Sequence, residues 1–286
     1  MSKQGEISTM SSHANVRFNH LLLTKFNILT TLEYGPLEQR LDSEWLRARL
    51  VEFETFCLPS VAGQVGADFR WVVFCDEASP DWFKQKMRSF GDVLIPLFVS
   101  GMTNATMGQR LKTEGLTDER PLISTRLDND DAIARDYLSN VQSHFANQDR
   151  LFVDYPIGLR ACEGALFSGL WRSNPFMSLI EASPDNGVPY LGVYFKQHHK
   201  VRKTEQIKTV WHSPVWLRAM HSANTVQTQV GIPRLSSQDE RFSVDWAGLK
   251  TPPSLSKKVS ISLLGYKARL ERSSKYKTIA RRFSKI

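Results

Sequence analysis

The sequence predicts an α/β fold with a mostly parallel sheet that is covered by helices on both faces. Short apolar runs suited to buried strands alternate with longer segments of helical periodicity along the chain. Strands and helices take turns, which is the order typical of parallel sheets. With 286 residues and 41% hydrophobic content, the chain can bury a large core as one big domain or two small ones.

The first two predicted elements are a strand and a helix, which differ in the spacing of their apolar residues. The run HLLLTKFNI (20–28) has the length and composition of a buried strand. The following segment, SEWLRARLVEFETFCLPSV, has large apolar residues near helical spacing, and we expect Pro59 to end that helix. These apolar residues are Trp45, Leu46, Leu50, Phe53 and Phe56.

Further strands and helices complete the predicted sheet. FRWVVFCDE (69–77) is the second strand, and SPDWFKQKMRSF is a helix that Ser79 opens, with Pro80 at its first position. DVLIPLFV and PLISTRLD supply two more strands, with a short helix expected near 104–111 between them. In open α/β sheets, ligands bind outside the carboxyl ends of the strands, so the residues that follow these strands are the candidates for a site.

Carboxylates follow the fourth strand in the segment STRLDNDDA, at Asp128, Asp130 and Asp131. Carboxylates at a strand end can hold Mg²⁺ or Mn²⁺, which in turn holds a diphosphate. Alternatively, DNDDAIARDYLSNVQSHF is a helix whose acidic first turn complements the macrodipole, with Asp128 or Asn129 as its cap. Asp76 ends the second strand, and we expect it at the same end of the sheet as the Asp cluster. There it either contacts a base or ribose of the ligand or is a solvated turn residue.

Several segments together resemble the putative rhamnosyltransferase family. They are LLTKFNI, FCLPSVAGQ with DFRWVVFCDE, TRLDNDDA, SNPFMSLIE and PVWLRAMHSANT, and the resemblance covers Arg17 to Asn224. It implies a GT-A-like fold and a metal-dependent glycosyltransferase. Such an enzyme moves a sugar, nominally rhamnose, from a nucleoside-diphosphate sugar to a saccharide or glycoconjugate acceptor.

The resemblance also implies roles for individual residues. Asp128 and Asp130 become the Asp-x-Asp pair that meets the metal and the donor diphosphate. Asp131, a catalytic candidate, orients ligands or caps the following helix, and Arg126 lies against phosphate or ribose or pairs with nearby acids. The remaining candidates for donor binding follow the early strands, and they are Thr24, Phe26, Asn27 and Asp76.

The second half of the chain is expected to build the acceptor side. RLFVDYPIGLRACEGALFSGLW alternates loosely and contains glycines, which predicts bent strands in an antiparallel extension. SNPFMSLIEAS is predicted to start a turn of helix, and Glu181 at its end is the candidate general base or, alternatively, a surface acid. By resemblance a late histidine completes the metal shell, and His221 is preferred to His212; the alternative is a hydrogen-bonded core histidine.

Composition changes abruptly after TPPSLS. The C-terminal stretch is rich in Lys and Arg, holds one acid, Glu271, and carries apolar residues at roughly helical intervals. It is typical of an amphipathic segment on anionic lipid or of a disordered solvated tail. The predicted organisation is a flexible N-terminus (1–16), a GT-A-like domain (17–250) with a nucleotide-sugar-binding half (17–147) and an acceptor half (148–250), and a basic tail (251–286).

Charge and cysteine content restrict the classes of protein further. The net charge of +8 and the pI of about 9.4 are compatible with nucleotides, nucleic acid or anionic lipid as partners. Three widely spaced cysteines predict neither a disulfide framework nor a CxxC metal site, which favours a reducing cytoplasm. No signal-type or membrane-spanning apolar run is found, so we expect a cytoplasmic protein, peripheral at the inner membrane face if the tail binds lipid.

Two other classes of function remain open from the sequence. LDNDDA distantly resembles the strand-end Asp-x-Asp nucleophile site of an aspartyl phosphohydrolase, although that site would be expected near the chain start. A non-enzymatic basic protein for membrane or nucleic acid would explain the tail and leave the acidic cluster unexplained. Because no Gly-rich phosphate loop or aromatic-basic RNA signature is found, no nucleic-acid partner is expected.

Overall fold

The computed structural model describes residues 17–28, 37–100, 102–183, 188–220, 231–246 and 253–267. These residues form two β-sheets. In spatial order, the larger sheet consists of β10 (Ile207–Thr209), β6 (Arg150–Asp154), β9 (Ser178–Glu181), β4 (Leu122–Arg126), β1 (Asn19–Lys25), β2 (Arg70–Asp76) and β3 (Ile95–Val99). The smaller sheet consists of β12 (Ile232–Pro233), β8 (Ala165–Leu170), β7 (Ile157–Cys162), β11 (Trp216–Met220) and β5 (Ala132–Ile133).

The larger sheet is mostly parallel. Strands β4, β1, β2 and β3 pair in parallel, and β9 pairs antiparallel with both β4 and β6. Six of the seven residues of β1 are buried, because a strand inside such a sheet has helices on both faces and reads as a continuous apolar run. The predicted α/β fold is confirmed.

Helices cover both faces of this sheet. They are α1 (Leu37–Leu41), α2 (Ser43–Glu52), α3 (Leu58–Ala62), α4 (Asp81–Arg88), α5 (Met107–Thr113), α6 (Tyr137–Gln142), α7 (His198–Thr204) and a helix over 255–267, called α8. On β1, Leu22 packs into the core cluster that includes α2, α3, α4 and α6, whereas Leu21 and Leu23 pack with α5 and α7. Successive strand residues point to opposite faces, which produces these two cores.

Pro59 does not end the second predicted element, which is a correction. The helical path continues from α2 through a π-helical turn (Phe53–Cys57) into α3, with Pro59 in the first turn of α3. A proline cannot donate to the carbonyl four residues earlier. That carbonyl, of Thr55, instead accepts from the backbone N–H of Asp245 at 3.0 Å. The missing helical bond is therefore replaced by a tertiary one.

The smaller sheet supplies the predicted extension. β7 and β8 form an antiparallel hairpin whose turn residues, Glu163 and Gly164, have φ values of 48° and 74°. β11 runs parallel to β7 on its other side and antiparallel to β5. A Cβ at Gly158 would lie 2.0 Å from the Trp216 ring, so this position of β7 is limited to glycine by packing.

Two helices predicted from capping residues are not formed, and both are corrections. After the Asp cluster the chain enters strand β5, and α6 begins only at Tyr137. The segment SNPFMSLIEAS contains strand β9 instead of a helical turn. There Asn174 bonds to the Tyr155 carbonyl at 2.8 Å and accepts from Phe176 N at 2.9 Å, forming a local turn before the strand.

Helix α8 packs against the loop after β12. Lys258 is 4% exposed, and its Nζ donates to the carbonyls of Arg234 and Leu235 at 3.1 and 3.0 Å. Ser262, also buried, donates to the carbonyl of Gly231. In the described part of the chain, none of the helices has the length and apolarity needed to cross a membrane.

Candidate active site

The carboxyl ends of β4, β1 and β2 lie side by side and carry most of the predicted site residues. β1 is the central strand of the three, and the register pairs Leu23 with Arg126 and Lys25 with Phe74. The Asp cluster follows β4, and Asp76 is the last residue of β2. The structure therefore brings the Asp cluster, Arg126 and Asp76 to one rim of the sheet.

Asp128 lies on the exposed side of the cluster and pairs with Arg126. The Arg126 Nε and Nη2 atoms donate to Asp128 Oδ1 at 3.1 and 3.0 Å. The Asp128 side chain is 36% exposed, which leaves it accessible to a ligand. The Arg126 guanidinium also lies 5.1 Å from the centre of the Tyr194 ring. A carboxylate and a guanidinium thus share the outer part of the rim.

Asp130 is held by Arg49 of helix α2. The Arg49 Nη1 atom lies 3.1 Å from Asp130 Oδ2, and the two side chains are 15% and 11% exposed. Arg49 also donates to the side chain of Asn129, whose Nδ2 donates to the Phe26 carbonyl at 3.0 Å. These bonds fix the loop of the Asp cluster against α2 and the end of β1.

Arg49 was not predicted from the sequence, although its position gives a signal. It comes three residues after Leu46 and four before Phe53, both of which are fully buried. An arginine on the buried face of a helix requires a carboxylate or another acceptor, because an unpaired buried charge is costly. That spacing could have indicated Arg49 as a partner of the Asp cluster.

Asp131 faces the smaller sheet and does not cap a helix, which corrects one of the two roles expected for it. Its Oδ1 accepts from the backbone N–H of Ala219 at 3.1 Å, and the residue is 3% exposed. Burial raises the pKa of Asp131 well above its usual range, Asp130 and Asp128 raise it further, and Arg218 and the Ala219 bond lower it. Asp131 therefore connects the Asp cluster to β11.

Lys25 adds a second cation beside Arg126. Its Nζ lies 2.5 Å from Asn104 Oδ1 and 4.0 Å from the centre of the Tyr194 ring. Burial and the neighbouring Arg126 lower the pKa of Lys25 to about 7, whereas Asp128 raises it. Lys25 is the last residue of β1. Its role could not be predicted from the sequence, because its contact with the rim depends on Tyr194, 169 positions further along the chain.

His198 is the histidine that the structure brings toward Asp128. Its Nδ1 lies 2.6 Å from the carbonyl oxygen of Ser173. Burial lowers the pKa of His198; the Ser173 bond and Asp128 raise it, and Arg126 lowers it. His212 instead contacts the adjacent Ser213. The predicted metal ligand, His221, lies outside the described residues.

Thr24 and Phe26 direct their side chains into the core, which corrects their expected role in donor binding. Thr24 Oγ1 accepts from Trp71 Nε1 at 2.9 Å. The Phe26 ring packs 5.5 Å from the Phe53 ring and 5.0 Å from the Phe83 ring. Both residues are buried because they belong to the hydrophobic face of β1 and its continuation.

Asn27 and Asp76 join the ends of β1 and β2. Asn27 is 2% exposed; its Nδ2 donates to Ser79 Oγ at 2.9 Å and its Oδ1 accepts from Asp76 N at 3.0 Å. Asp76 is half-buried, and its Oδ1 accepts from Ala78 N at 2.8 Å. Asn27 therefore shapes the rim through the backbone, and Asp76 is the more accessible of the two.

Glu181 lies beside the amino end of β4, away from the rim that carries the Asp cluster, which corrects its assignment as general base. In the register of β9 with β4, Glu181 faces Leu122, the first residue of β4, whereas the Asp cluster follows the last. Its Oε1 and Oε2 accept from Leu191 N and Gly192 N, each at 2.9 Å. Burial raises the pKa of Glu181, and these two bonds lower it. The carboxylate is used to hold the backbone.

The donor set at the rim fits a hard cation only in part. No group of three or more His, Cys, Asp or Glu side chains within the described ranges is arranged to hold a metal ion. Asp128 and Asp130 offer the oxygen ligands that Mg²⁺ and Mn²⁺ prefer, and a bound diphosphate could supply the others. Both carboxylates are bonded to guanidinium groups, of Arg126 and Arg49.

The larger sheet is a mostly parallel α/β sheet with an Asp-x-Asp segment at the carboxyl end of β4, which is where ligands bind in open α/β sheets. The model of the putative rhamnosyl transferase family matches residues 15–232. The chain therefore belongs to this family and is a glycosyltransferase. Membership decides against the aspartyl phosphohydrolase and the non-enzymatic basic protein that the sequence analysis left open. No curated protein matches the chain.

Several solved structures are similar to this chain over about 70% of its residues. TarS 1–349 of S. aureus in complex with UDP is 12% identical, with 71% of this chain and 60% of that chain covered and a TM-score of 0.42. HddC from Yersinia pseudotuberculosis is 12% identical (70% and 93% covered, TM-score 0.37). The protein described as a putative nucleotide-diphospho-sugar transferase from Desulfovibrio desulfuricans G20 is 10% identical (70% and 80% covered, TM-score 0.35). The match spans less than two thirds of the TarS fragment.

Proposed function

We propose that the protein transfers a sugar, rhamnose by the family description, from a nucleoside-diphosphate donor to a saccharide or glycoconjugate acceptor. The observation that carries the proposal is the Asp128–Arg126 pair at the end of β4, with Lys25 over the same Tyr194 ring as Arg126. A carboxylate that is accessible to solvent suits a cation or a ribose hydroxyl, and two adjacent cationic side chains suit a diphosphate.

The metal dependence is part of this proposal. Asp128 and Asp130 would hold Mg²⁺ or Mn²⁺, and the cation would act as a Lewis acid that neutralises the leaving diphosphate. Arg126 donates hydrogen bonds to Asp128, and its guanidinium could donate to a phosphate oxygen instead when the donor binds. Arg49 keeps Asp130 in place from the helix side. Lys25 adds positive charge at the end of β1.

The acceptor hydroxyl needs a base if the reaction inverts the configuration of the sugar. Of the two carboxylates expected to be catalytic, Asp131 lies at the rim and Glu181 does not. We therefore retain Asp131 as the catalytic candidate.

We expect Asp128→Asn and Asp130→Asn each to weaken Mn²⁺-dependent binding of UDP at least tenfold, or about 1.4 kcal/mol. The reason is the loss of a formal charge from a site for a hard cation. Calorimetry with UDP, with and without Mn²⁺, measures the effect, and a panel of nucleotide sugars then identifies the donor. Asp92→Asn is the matched control, because Asp92 is exposed and precedes β3 at the far edge of the sheet.

Thermal melting of each variant must accompany the titration, because Asp130→Asn also breaks the bond to Arg49. Wild-type affinity for UDP and Mn²⁺ in both folded variants would disprove the metal role of the pair. If UDP binds equally tightly with and without Mn²⁺, we would assign binding of the diphosphate to Lys25 and Arg126 without a metal ion.

We also propose that the basic tail attaches the enzyme to an anionic membrane surface. The described start of this region, α8, presents apolar side chains to solvent: Leu263 and Leu264 are 64% and 65% exposed. The residues that follow are rich in Lys and Arg. Apolar side chains next to clustered basic residues favour binding at the interface of an anionic bilayer.

A further inference from the structure

We propose that the smaller sheet carries a subsite for an anionic saccharide, formed by Trp171, Arg160 and Arg218. This inference rests on the proposed sugar transfer and names the chemical class of its acceptor. The subsite consists of an aromatic ring that is partly open to solvent and two arginines on adjacent strands. Arg218 precedes Ala219, whose backbone N–H binds Asp131 of the Asp cluster.

The Trp171 ring is held from below by a second tryptophan. Trp216 is fully buried, stacks on Phe176 with ring centres 5.1 Å apart, and donates from Nε1 to the Tyr155 carbonyl at 2.8 Å. Trp171 meets the Trp216 ring at 82° with centres 6.2 Å apart, and it is half-buried. A fixed and partly exposed aromatic ring is a suitable surface for the apolar face of a sugar.

The two arginines lie side by side above this sheet. Arg218 of β11 and Arg160 of β7 are direct partners in the parallel register. Their guanidinium carbons lie 5.4 and 5.8 Å from the centre of the Trp171 ring. Like charges on paired strands destabilise a sheet unless something offsets them. Asp131 offsets part of the charge of Arg218.

The neighbouring strand leaves room for one of these guanidinium groups. A Cβ at Gly169 of β8 would lie 2.1 Å from Arg160 Nη1. The Arg160 side chain therefore passes over a glycine, and any other residue there would displace it. Within the described residues Arg218 forms no salt bridge with any carboxylate, and its aromatic partner is Trp171. Its donors can therefore serve a ligand.

Contacts connect the subsite to the rim that carries the Asp cluster. Trp171 meets His198 edge-on, with ring centres 5.9 Å apart, and His198 is close enough to Asp128 and Arg126 for both to shift its pKa. On the other side, the residue after Arg218 donates its backbone N–H to Asp131. A saccharide on Trp171 would thus have a hydroxyl near the proposed donor site.

The charge of the arginines decides between a neutral and an anionic acceptor. A neutral saccharide needs hydrogen bonds, which amide or hydroxyl side chains supply without like-charge repulsion. Guanidinium groups match carboxylate and phosphate oxygens in a planar, two-bonded geometry. The acceptor group is therefore a carboxylate, as in a uronic acid, or a phosphate, as in a sugar phosphate.

Binding of paired probes tests the inference on the full chain. The anionic probes are trigalacturonic acid and glucose 6-phosphate, and their neutral counterparts are maltotriose and glucose. Ligand-observed NMR gives the affinity for wild type, Arg218→Gln, Arg160→Gln and Arg160→Lys. We expect tighter binding of at least one anionic probe than of its counterpart. Each Gln variant should lose at least tenfold of that affinity, and Arg160→Lys should lose less.

Arg88→Gln is the matched control, because Arg88 is also an arginine over an aromatic ring, 4.9 Å from the centre of Phe98, but it is exposed and lies next to the edge strand β3. It should bind every probe as the wild type does. Which of the two anionic probes binds distinguishes the carboxylate source from the phosphate source. Equal binding of anionic and neutral probes, or unchanged affinity in both Gln variants, would overturn the inference.

UDP titrations on the same samples separate this inference from the proposed function. If the wild type binds UDP and the Gln variants lose only the anionic saccharide, both proposals stand. If the wild type binds no UDP while the anionic probe still requires the arginines, the sugar transfer fails and the saccharide site stands. If the Gln variants lose UDP and keep the probe, the arginines belong to the donor and the inference is wrong.

Discussion

Individual carboxylates in this site are compensated by arginines that come from different parts of the chain. Three acids within four positions would repel one another and raise each other's pKa. The guanidinium groups offset this repulsion, and those of Arg126 and Arg49 also fix the orientation of Asp128 and Asp130. A metal cation must therefore compete with the guanidinium groups for the carboxylate oxygens. The two ion pairs are Asp128 with Arg126 and Asp130 with Arg49, whereas Arg218, in the described part of the chain, acts on Asp131 through its charge without a salt bridge.

Glu181 provides a test of structural against catalytic use of an acid. Glu181→Gln keeps one carbonyl oxygen but places an NH₂ group against one of the backbone N–H donors, of Leu191 or Gly192. We expect a loss of about 1–3 kcal/mol in the free energy of unfolding. Urea denaturation measures this loss, and sugar transfer per folded molecule should stay unchanged.

The matched control for this experiment is Glu163→Gln, because Glu163 is exposed in the β7–β8 turn. It should be neutral in stability. A Glu181→Gln protein with wild-type stability and transfer reduced a hundredfold or more would restore Glu181 as the general base.

Some residues of the site could be predicted from the sequence. Asp128 and Asp130 could be located because an acid pair after an apolar strand has a fixed place in a parallel sheet. Arg49 could have been indicated by its place on the buried face of a helix, but the acid it meets could not, because Asp130 is 81 positions away. Lys25 could not be selected, because its role depends on a contact 79 positions away. Thr24 was misassigned because position after a strand does not tell which face a side chain takes.

Among the elements, strands were better predicted than helices. The buried strands β1, β2 and β4 have continuous apolar runs, which are hard to mistake. The turn of helix predicted in SNPFMSLIEAS failed because a Ser-Asn-Pro sequence suits a helix start and a tight turn equally. Pro59 failed as a terminator because tertiary contact with Asp245 satisfied the carbonyl that it left without a donor.

Strand β7 offers a prediction about packing beneath the proposed subsite. Gly158→Ala would place a Cβ within 2.0 Å of the Trp216 ring, so the ring must move. Overpacking of this kind costs about 1–3 kcal/mol. We expect a lower melting temperature and weaker binding of the anionic probe, because Trp171 rests on Trp216.

A double-mutant cycle checks that the cause is this contact. In a Trp216→Leu background, Gly158→Ala should cost clearly less than it does in the wild type, since the clashing ring is absent. Additive losses in stability would show that the strain lies elsewhere in β7.

Because helix α8 packs against the rest of the molecule, two truncations of the basic tail are expected to differ in their effect on stability. Ending the chain after Pro253 removes Lys258 and Ser262 with their bonds to the β12 loop. Ending it after Lys267 keeps these bonds and removes 268–286, with the last basic residues of the chain. Those residues are Arg269, Arg272, Lys275, Lys277, Arg281, Arg282 and Lys285.

We expect the chain that ends at Lys267 to keep its melting temperature and sugar transfer but to bind anionic vesicles at least tenfold more weakly. Each basic residue near such a surface contributes on the order of 1 kcal/mol. The chain that ends at Pro253 should also lose on the order of 2 kcal/mol of stability, or roughly 5 °C. Sedimentation with phosphatidylserine vesicles and with neutral vesicles measures binding, and unchanged sedimentation of the Lys267-ended chain would contradict the membrane proposal.

The bond between Asp131 and the backbone N–H of Ala219 has a consequence for variation at position 219. A main-chain donor is the same for every residue except proline. Substitutions at 219 that fit the small buried space therefore leave the carboxylate oriented, and only proline removes the donor outright. The orientation of the most deeply placed acid of the cluster is set by the pairing of β5 with β11, so a comparison of residue identities would detect no partner for it.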